Sequence, residues 1–194
     1  RNGAGKTTLL RILASLSSPT EGRITFPASS GRHADRRASI GVIGHGTWIY
    51  DDLTAEENLR FFCQLYRAPE PERAIQQWLG RVGLEGCRHA RAGEYSRGMR
   101  QRLTIARAFL HQPAVLLLDE PWTALDDQAI ELLSSLVEEA RAAESTVVIC
   151  SHQLREAVAV ADEVALLHRG RLAYRGPVDA HLRAAPQSLY ERLP

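Results

Sequence analysis

The spacing of apolar and polar positions changes character twice along this chain of 194 residues. Near the start it is helical. The apolar run Leu9 to Leu13 predicts a helix from Lys6 to Leu16 that stops before Ser17-Ser18-Pro19. Pro19 to Gly22 reads as a turn into a short strand, Arg23 to Phe26. Ala28 to Arg37 is polar, Arg-rich and loop-like, and Ser39 to Ile43 reads as a strand ending at Gly44-His45-Gly46. From Thr54 the texture is all-helical. T-A-E-E (Thr54 to Glu57) is a capping box, and Leu59, Phe62, Leu65 and Tyr66 share one helical stripe. A second helix is expected over Glu72 to Val82, carrying Ile75, Trp78 and Leu79 and stopped by Gly83. A third spans Ser96 to Leu110 and ends at His111-Gln112-Pro113.

The pattern then returns to alternating strands and helices. Ala114 to Leu118 is a continuous apolar run, the mark of a strand buried on both faces of a parallel sheet. A helix over Asp126 to Ala143 follows, with Ile130, Leu133, Val137 and Ala140 facing inward. Strand Thr146 to Cys150, helix Gln153 to Ala161 and strand Val164 to Leu167 come next, and Arg169-Gly170 turns into Arg171 to Tyr174. The expectation is one α/β domain. Residues 1–46 and 113–175 form its mainly parallel core, residues 47–112 an inserted helical subdomain, and residues 176–194 a helical tail.

Composition is that of an ordinary globular protein, and a net charge of +1 gives no electrostatic case for nucleic acid. Cys63, Cys87 and Cys150 lack metal-ligand spacing and read as small hydrophobes in a reducing compartment. No apolar run approaches a membrane span, so service to a membrane would need a partner.

One exception in composition locates the chemistry. Lys6 is the only lysine in the chain, and it lies within N-G-A-G-K-T-T (Asn2 to Thr8). Its compact ammonium can reach between the β- and γ-phosphates of a nucleotide, where a forked guanidinium does not fit. Gly3 and Gly5 let backbone N–H groups turn onto phosphate oxygens, Thr7 can ligate Mg²⁺, and the helix that follows aims its N-terminus at the anion. The full phosphate-loop pattern asks for a further glycine one position before Arg1, and for a strand feeding the loop. The chain is therefore expected to begin within its own site.

V-L-L-L-D-E (Val115 to Glu120) sets two carboxylates at the carboxyl end of a buried strand, the edge where open α/β sheets bind ligands. Asp119 suits Mg²⁺ and Glu120 suits a general base for water attack. Ser151-His152 follows the next strand directly and reaches the same edge. Y-S-R-G-M-R-Q-R (Tyr95 to Arg102) opens the third helix with a hydroxyl, a glycine and a helix N-terminus, as a second phosphate-binding surface would. Within one chain that surface has no evident route to Lys6. Two copies arranged head to tail would supply one.

These motifs, in this order, resemble the nucleotide-binding subunit of an ATP-binding-cassette transporter over essentially the whole chain. Asn2, Gly3, Ala4, Gly5, Lys6, Thr7 and Thr8 match the Walker A motif. Leu116 to Pro121 matches Walker B with its catalytic glutamate, Glu120, and Thr7 and Asp119 take the Mg²⁺ positions. Ser96, Arg97, Gly98 and Met99 lie where the family has its signature, with Arg97 and Met99 replacing the usual Gly and Gln. Ala124-Leu125-Asp126 resembles the D-loop, and His152 the switch histidine. His45 stands at the position of the Q-loop glutamine. The resemblance implies ATP and Mg²⁺ as cofactors, a second ATPase copy, and a separate membrane permease at the cytoplasmic face of the inner membrane.

Gly44-His45, the segment Leu53 to Phe62 (L-T-A-E-E-N-L-R-F-F) and the S-R-G-M variant are similar to the haem exporter ATPase of cytochrome c maturation. The same segment type is widespread among multidrug and lipid exporters, which form the alternative. A soluble cassette protein acting on ribosomes or DNA would carry two cassettes or a long coiled coil. An unrelated phosphate-loop kinase or GTPase would leave Ser96–Arg102 and His152 unexplained.

Overall fold

A computed structural model describes residues 3–26, 37–44, 46–123 and 125–192. At its centre three parallel strands, β1 (Ile40–Ile43), β2 (Val115–Asp119) and β3 (Thr146–Cys150), lie in that order. Val115 of β2 faces Ile40 on one side and Thr146 on the other. The apolar run of β2 serves both faces of the sheet. Leu117 packs with Leu10 of the first helix, α1 (Lys6–Leu13), with Ala14 just past its end, and with Ile40 and Cys150. Leu116 and Leu118 point the other way, into a larger core. Each of these buried leucines contributes roughly 2 kcal/mol through the apolar surface it withdraws from water.

That larger core is shared. It joins α2 (Ala55–Tyr66), α3 (Pro71–Arg81) and α4 (Arg97–Phe109) to Ile43, Leu116 and Leu118 of the sheet and to Leu133, Leu136 and Val137 of α5 (Asp127–Ala142). The helical block therefore rests on one face of the sheet and has no separate core of its own. Ion pairs reinforce the joint. Arg81 reaches Glu139 at 2.6 Å and Arg102 reaches Asp126 at 2.6 Å.

The segment opening α2 shows how closely local sequence specifies local structure. Thr54 Oγ1 accepts from Glu57 N–H, and the Glu57 carboxylate accepts from Thr54 N–H, the reciprocal cap read from the sequence. Glu56 lies between Arg60 at 2.8 Å and Arg88 at 2.7 Å, and these partners hold its carboxyl down at about 2. Asn58 is fully buried. Its amide donates to the carbonyls of Tyr50, Leu53 and Thr54 and its oxygen accepts from Tyr50 N–H, locking the preceding loop. Leu59 enters the core.

Several boundaries differ from expectation. Arg23 to Phe26 is not a strand, because no described strand lies alongside to complete a ladder and an isolated strand does not hold in water. The helix α1 ends at Leu13 rather than Leu16. Ser15 turns left-handed (φ 57°) and Leu16 N–H bonds back to Arg11 C=O, closing the end. Residues 28–36 of the expected surface loop lie outside the described residues.

After β3 come α6 (Leu154–Val160) and an antiparallel ribbon, β4 (Glu163–His168) with β5 (Arg171–Pro177), longer than the pattern predicts. The tail holds a short helix, α7 (Ala180–Ala184), and a 3₁₀ segment, Pro186–Arg192. The ribbon's tip touches the phosphate loop, with Gly170 N–H donating to Ala4 C=O at 3.1 Å. Among the described residues nothing pairs with the outer edge of β3. Between that edge and β4 lies an apolar cleft of about 530 Å³, walled by Val147, Ile149, Val164 and Leu167. No helix of the described residues is long and apolar enough to cross a membrane.

Candidate nucleotide site

The carboxyl ends of β2 and β3 and the start of α1 meet at one edge of the sheet. The loop before α1 depends on glycine, since Gly3 (φ 76°) and Gly5 (φ 99°) adopt left-handed conformations that side chains disfavour. Gly5 is the N-cap and no side chain caps the first turn, which leaves that turn free to meet an anion. Thr7 Oγ1 donates to Asp119 Oδ2 at 2.8 Å, tying the helix start to the end of β2. Asp119 is buried.

Glu120 turns the chain out of the strand through a left-handed backbone (φ 50°), a conformation a glutamate adopts only under constraint. Its own N–H donates to Cys150 C=O at 2.8 Å. Its carboxylate accepts from Ser151 Oγ and from His152 N–H, both at 3.1 Å, and lies 2.8 Å from His152 Nδ1. Partial burial pushes the Glu120 carboxyl up, but the His152 and Ser151 hydrogen bonds outweigh it and leave the group below the usual carboxylate range. It is therefore ionised at neutral pH and able to accept a proton.

A cavity of about 770 Å³ opens over these groups, within the size range of small-ligand sites. Gly3, Ala4, Gly5, Lys6, Thr7 and Thr8 line one wall, with Asp119, Glu120 and His152 at its base. Gly44 and Thr47 form one further stretch of wall, and Arg97, Arg100 and Gln101 another. Among the described residues no three His, Cys, Asp or Glu side chains cluster as a self-sufficient metal site. The pair Thr7 and Asp119 fits Mg²⁺, which takes one or two protein oxygens and fills its remaining positions from phosphate and water.

The second phosphate surface is arranged differently from its sequence reading. Arg97, four residues before Gln101 on α4, already faces the Lys6 cavity within the same chain, so this helix is not remote from it. Ser96 is committed as the N-cap, its Oγ accepting from Met99 N–H at 3.2 Å, and Met99 packs against the shared core. Gly98 and Met99 do not line the cavity. Asp126 caps α5 through Ala129 N–H and pairs with Arg102, away from the cavity wall. Asn2, Ala124 and His45 lie outside the described residues.

Sequence reasoning passed over Ser151, which both donates to Glu120 and accepts from Gln153 N–H at 2.9 Å. Its place directly before His152 at a strand end was the available signal. Arg100 and Gln101 were missed as well, although they lie one turn beyond Arg97 on the same helix face.

Comparison with known proteins agrees with this geometry. The ABC transporter family profile matches residues 1–123. The ATP-binding protein NatA of Bacillus subtilis is 37% identical over 195 residues, covering 98% of this chain and 76% of that protein. The bacitracin transport ATP-binding protein BcrA of Bacillus licheniformis is 38% identical over 94% of this chain, which spans 60% of it. The cytochrome c biogenesis export protein CcmA of Nitrosomonas europaea is 39% identical over 78% of this chain and 72% of its own length. Among solved structures, an ATP-binding subunit of an ABC transporter superposes with TM-score 0.87 at 31% identity, covering 99% of this chain and 83% of that one. A dimeric ATP-binding cassette in a post-hydrolysis state with ADP and Pi gives TM-score 0.82 at 25% identity, covering 93% and 83%. With a phosphate loop, a carboxylate pair and a histidine converging on one cavity, and these likenesses beside them, the chain belongs to the ABC transporter family as one of its ATPase domains.

Proposed function

We propose that this chain binds Mg-ATP in the Lys6 cavity, hydrolyses it, and drives export through a separate membrane permease. The observation that carries the reading is the convergence of two pairs, Thr7 with Asp119 and Glu120 with His152, over one phosphate loop. Gly3 to Thr8 and the Lys6 ammonium would hold the phosphates, and Thr7 and Asp119 would hold Mg²⁺, whose charge would offset that of the transferring phosphoryl group. Glu120, ionised and fixed by Ser151 and His152, accepts the proton of the attacking water. His152 keeps that carboxylate in place and leaves the rest of its ring exposed at the cavity, where a γ-phosphate would come within its reach.

The permease reading is favoured by the family and by exposed apolar side chains, Trp48, Tyr50, Phe61 and Leu65, of which Tyr50 and Phe61 pack edge to face. It places the protein at the cytoplasmic face of the inner membrane, held there by its partner. Two copies acting head to tail would add Ser96 and Gly98 of one chain to the nucleotide of the other. Sedimentation of a Glu120→Gln variant tests this: Mg-ATP should drive dimers that persist because hydrolysis is blocked. A monomer at saturating Mg-ATP with the membrane partner present would sink the dimer.

Haem export for cytochrome c maturation is the finer reading, favoured by Gly44-His45 and by the likeness to CcmA. The segment Leu53 to Phe62 adds nothing to it, because its capping box, its Asn58 clamp and Leu59 are all occupied in folding. Multidrug or lipid-type export is the competing cargo class, in keeping with the likeness to BcrA. Deleting the gene and measuring c-type cytochromes separates them: loss of haem attachment supports the first, and unchanged cytochromes support the second.

A further inference from the structure

Arg107, in the last turn of α4, is fully buried, and among the described residues no carboxylate pairs with it. One guanidinium nitrogen donates to Val42 C=O on β1 at 2.6 Å, while Nε has no partner among the described residues. The rings of Trp48 and Phe62 flank the cation, each centred 5.2 Å away. Burial pushes the Arg107 pKa down, with the Tyr66 hydroxyl favouring its charge. An enclosed cation of this kind is a poor way to gain stability, since an apolar side chain of equal volume serves as well or better. What the guanidinium does and an apolar chain does not is grip one particular carbonyl.

That carbonyl matters because of where it sits. Val42 is two residues before Gly44, which with Thr47 forms one wall of the nucleotide cavity. At its other end α4 carries Arg97, Arg100 and Gln101, another wall of the same cavity. The contact is close. Gly41 packs so tightly under Ala108 C=O that a Cβ there would collide with it. The helix thus links the two walls, and Arg107 is the polar pin of the joint.

We infer that Arg107 is a positioning residue for ATP hydrolysis, fixing the end of β1 to α4 so that both cavity walls are held in one geometry. The inference rests on the ATPase reading and extends it to a residue that touches neither nucleotide nor the attacking water. Arg107→Met keeps the volume and removes the donors, whereas Arg107→Lys keeps a cation that can still reach Val42 C=O. In the full protein, Arg107→Met should melt no lower than the parent. It should also raise amide exchange at Ile43, Gly44, Gly46 and Thr47 about tenfold, while exchange within α4 stays unchanged. Its kcat for Mg-ATP should fall about tenfold with KM within about threefold, and Arg107→Lys should recover kcat to within about threefold. Parental exchange and kcat in Arg107→Met would overturn the proposal, as would a Met variant that fails to fold or a Lys variant as impaired as Met. If the parent itself turns over no Mg-ATP, the ATPase reading fails while the exchange measurement still judges the pin.

Discussion

The helical block and the nucleotide edge are built on opposite plans. In the block, the opening of α2 is set by short-range contacts: Thr54 caps three residues on, and Asn58 clamps a loop four to eight residues back. At the edge, Thr7 finds Asp119 across 112 positions and Glu120 finds Ser151 across 31. Left-handed residues occur in both, but several in the block fall at helix ends, as at Arg67, Glu70 and Gly83, whereas at the edge Gly3, Gly5 and Glu120 line the cavity itself. Local caps set the helix starts of the block, long-range contacts assemble the edge, and the larger core joins the block to the sheet. Damage to the edge should cost chemistry with little loss of fold, and damage to the block should cost fold first.

The sharpest break is at Lys6. Lys6→Ala should cut turnover by about 10²-fold or more while the melting temperature holds, and Lys6→Arg should not restore it. An arginine variant with near-parental ATPase activity would show that charge alone suffices and that shape does not matter. On the other side, Leu59→Ala empties a fully buried site and should lower stability by about 2–5 kcal/mol in denaturant titrations. If that variant instead lost turnover without losing stability, the two regions would not be separable in this way.

A pH test sharpens the contrast. His111 stacks on Tyr66 with ring centroids 4.0 Å apart, and burial, with Arg107 adding, pushes its pKa from 6.5 down to about 4. Above pH 6.5 the imidazole is neutral in both folded and unfolded chains. As pH falls toward 4 the unfolded chain takes up a proton that the folded one refuses, so stability is lost over that range. The unfolding free energy should fall by about 1–3 kcal/mol more between pH 7 and 4 in the parent than in His111→Phe, which keeps the stack, as denaturant titrations at each pH would read. Parallel profiles would place the pH sensitivity elsewhere. The smallest expected effect is at Ser151: Ser151→Ala should lower kcat about tenfold, near 1.4 kcal/mol, with KM for ATP little changed. A raised KM with kcat intact would mean that Ser151 serves binding and not Glu120.

These contrasts also explain what could be read in advance. The helices at 55–66, 71–81 and 97–109 and the strand at 146–150 were legible because caps, stripes and stop residues act within a few positions. Arg23 to Phe26 was misread because a strand is defined by a neighbour that no local pattern supplies. Ser151 and Arg107 were passed over for a related reason, since one is a hydroxyl and the other a basic residue until the fold brings Glu120 and Val42 to them.

Sequence alone determined the chemistry available to this protein: a lone lysine in a glycine loop, two carboxylates at a strand end and a histidine after the next strand. Those residue types have few other uses in that order. Tertiary structure alone decided how they are deployed. It set Glu120 in a left-handed turn under Ser151 and His152, turned Arg97 toward the Lys6 cavity, committed Ser96 and Asp126 to capping, and buried Arg107 against Val42. The reason is range. Covalent order fixes which groups exist and which near neighbours they meet, but contacts across a hundred residues appear only when the chain packs one shared core.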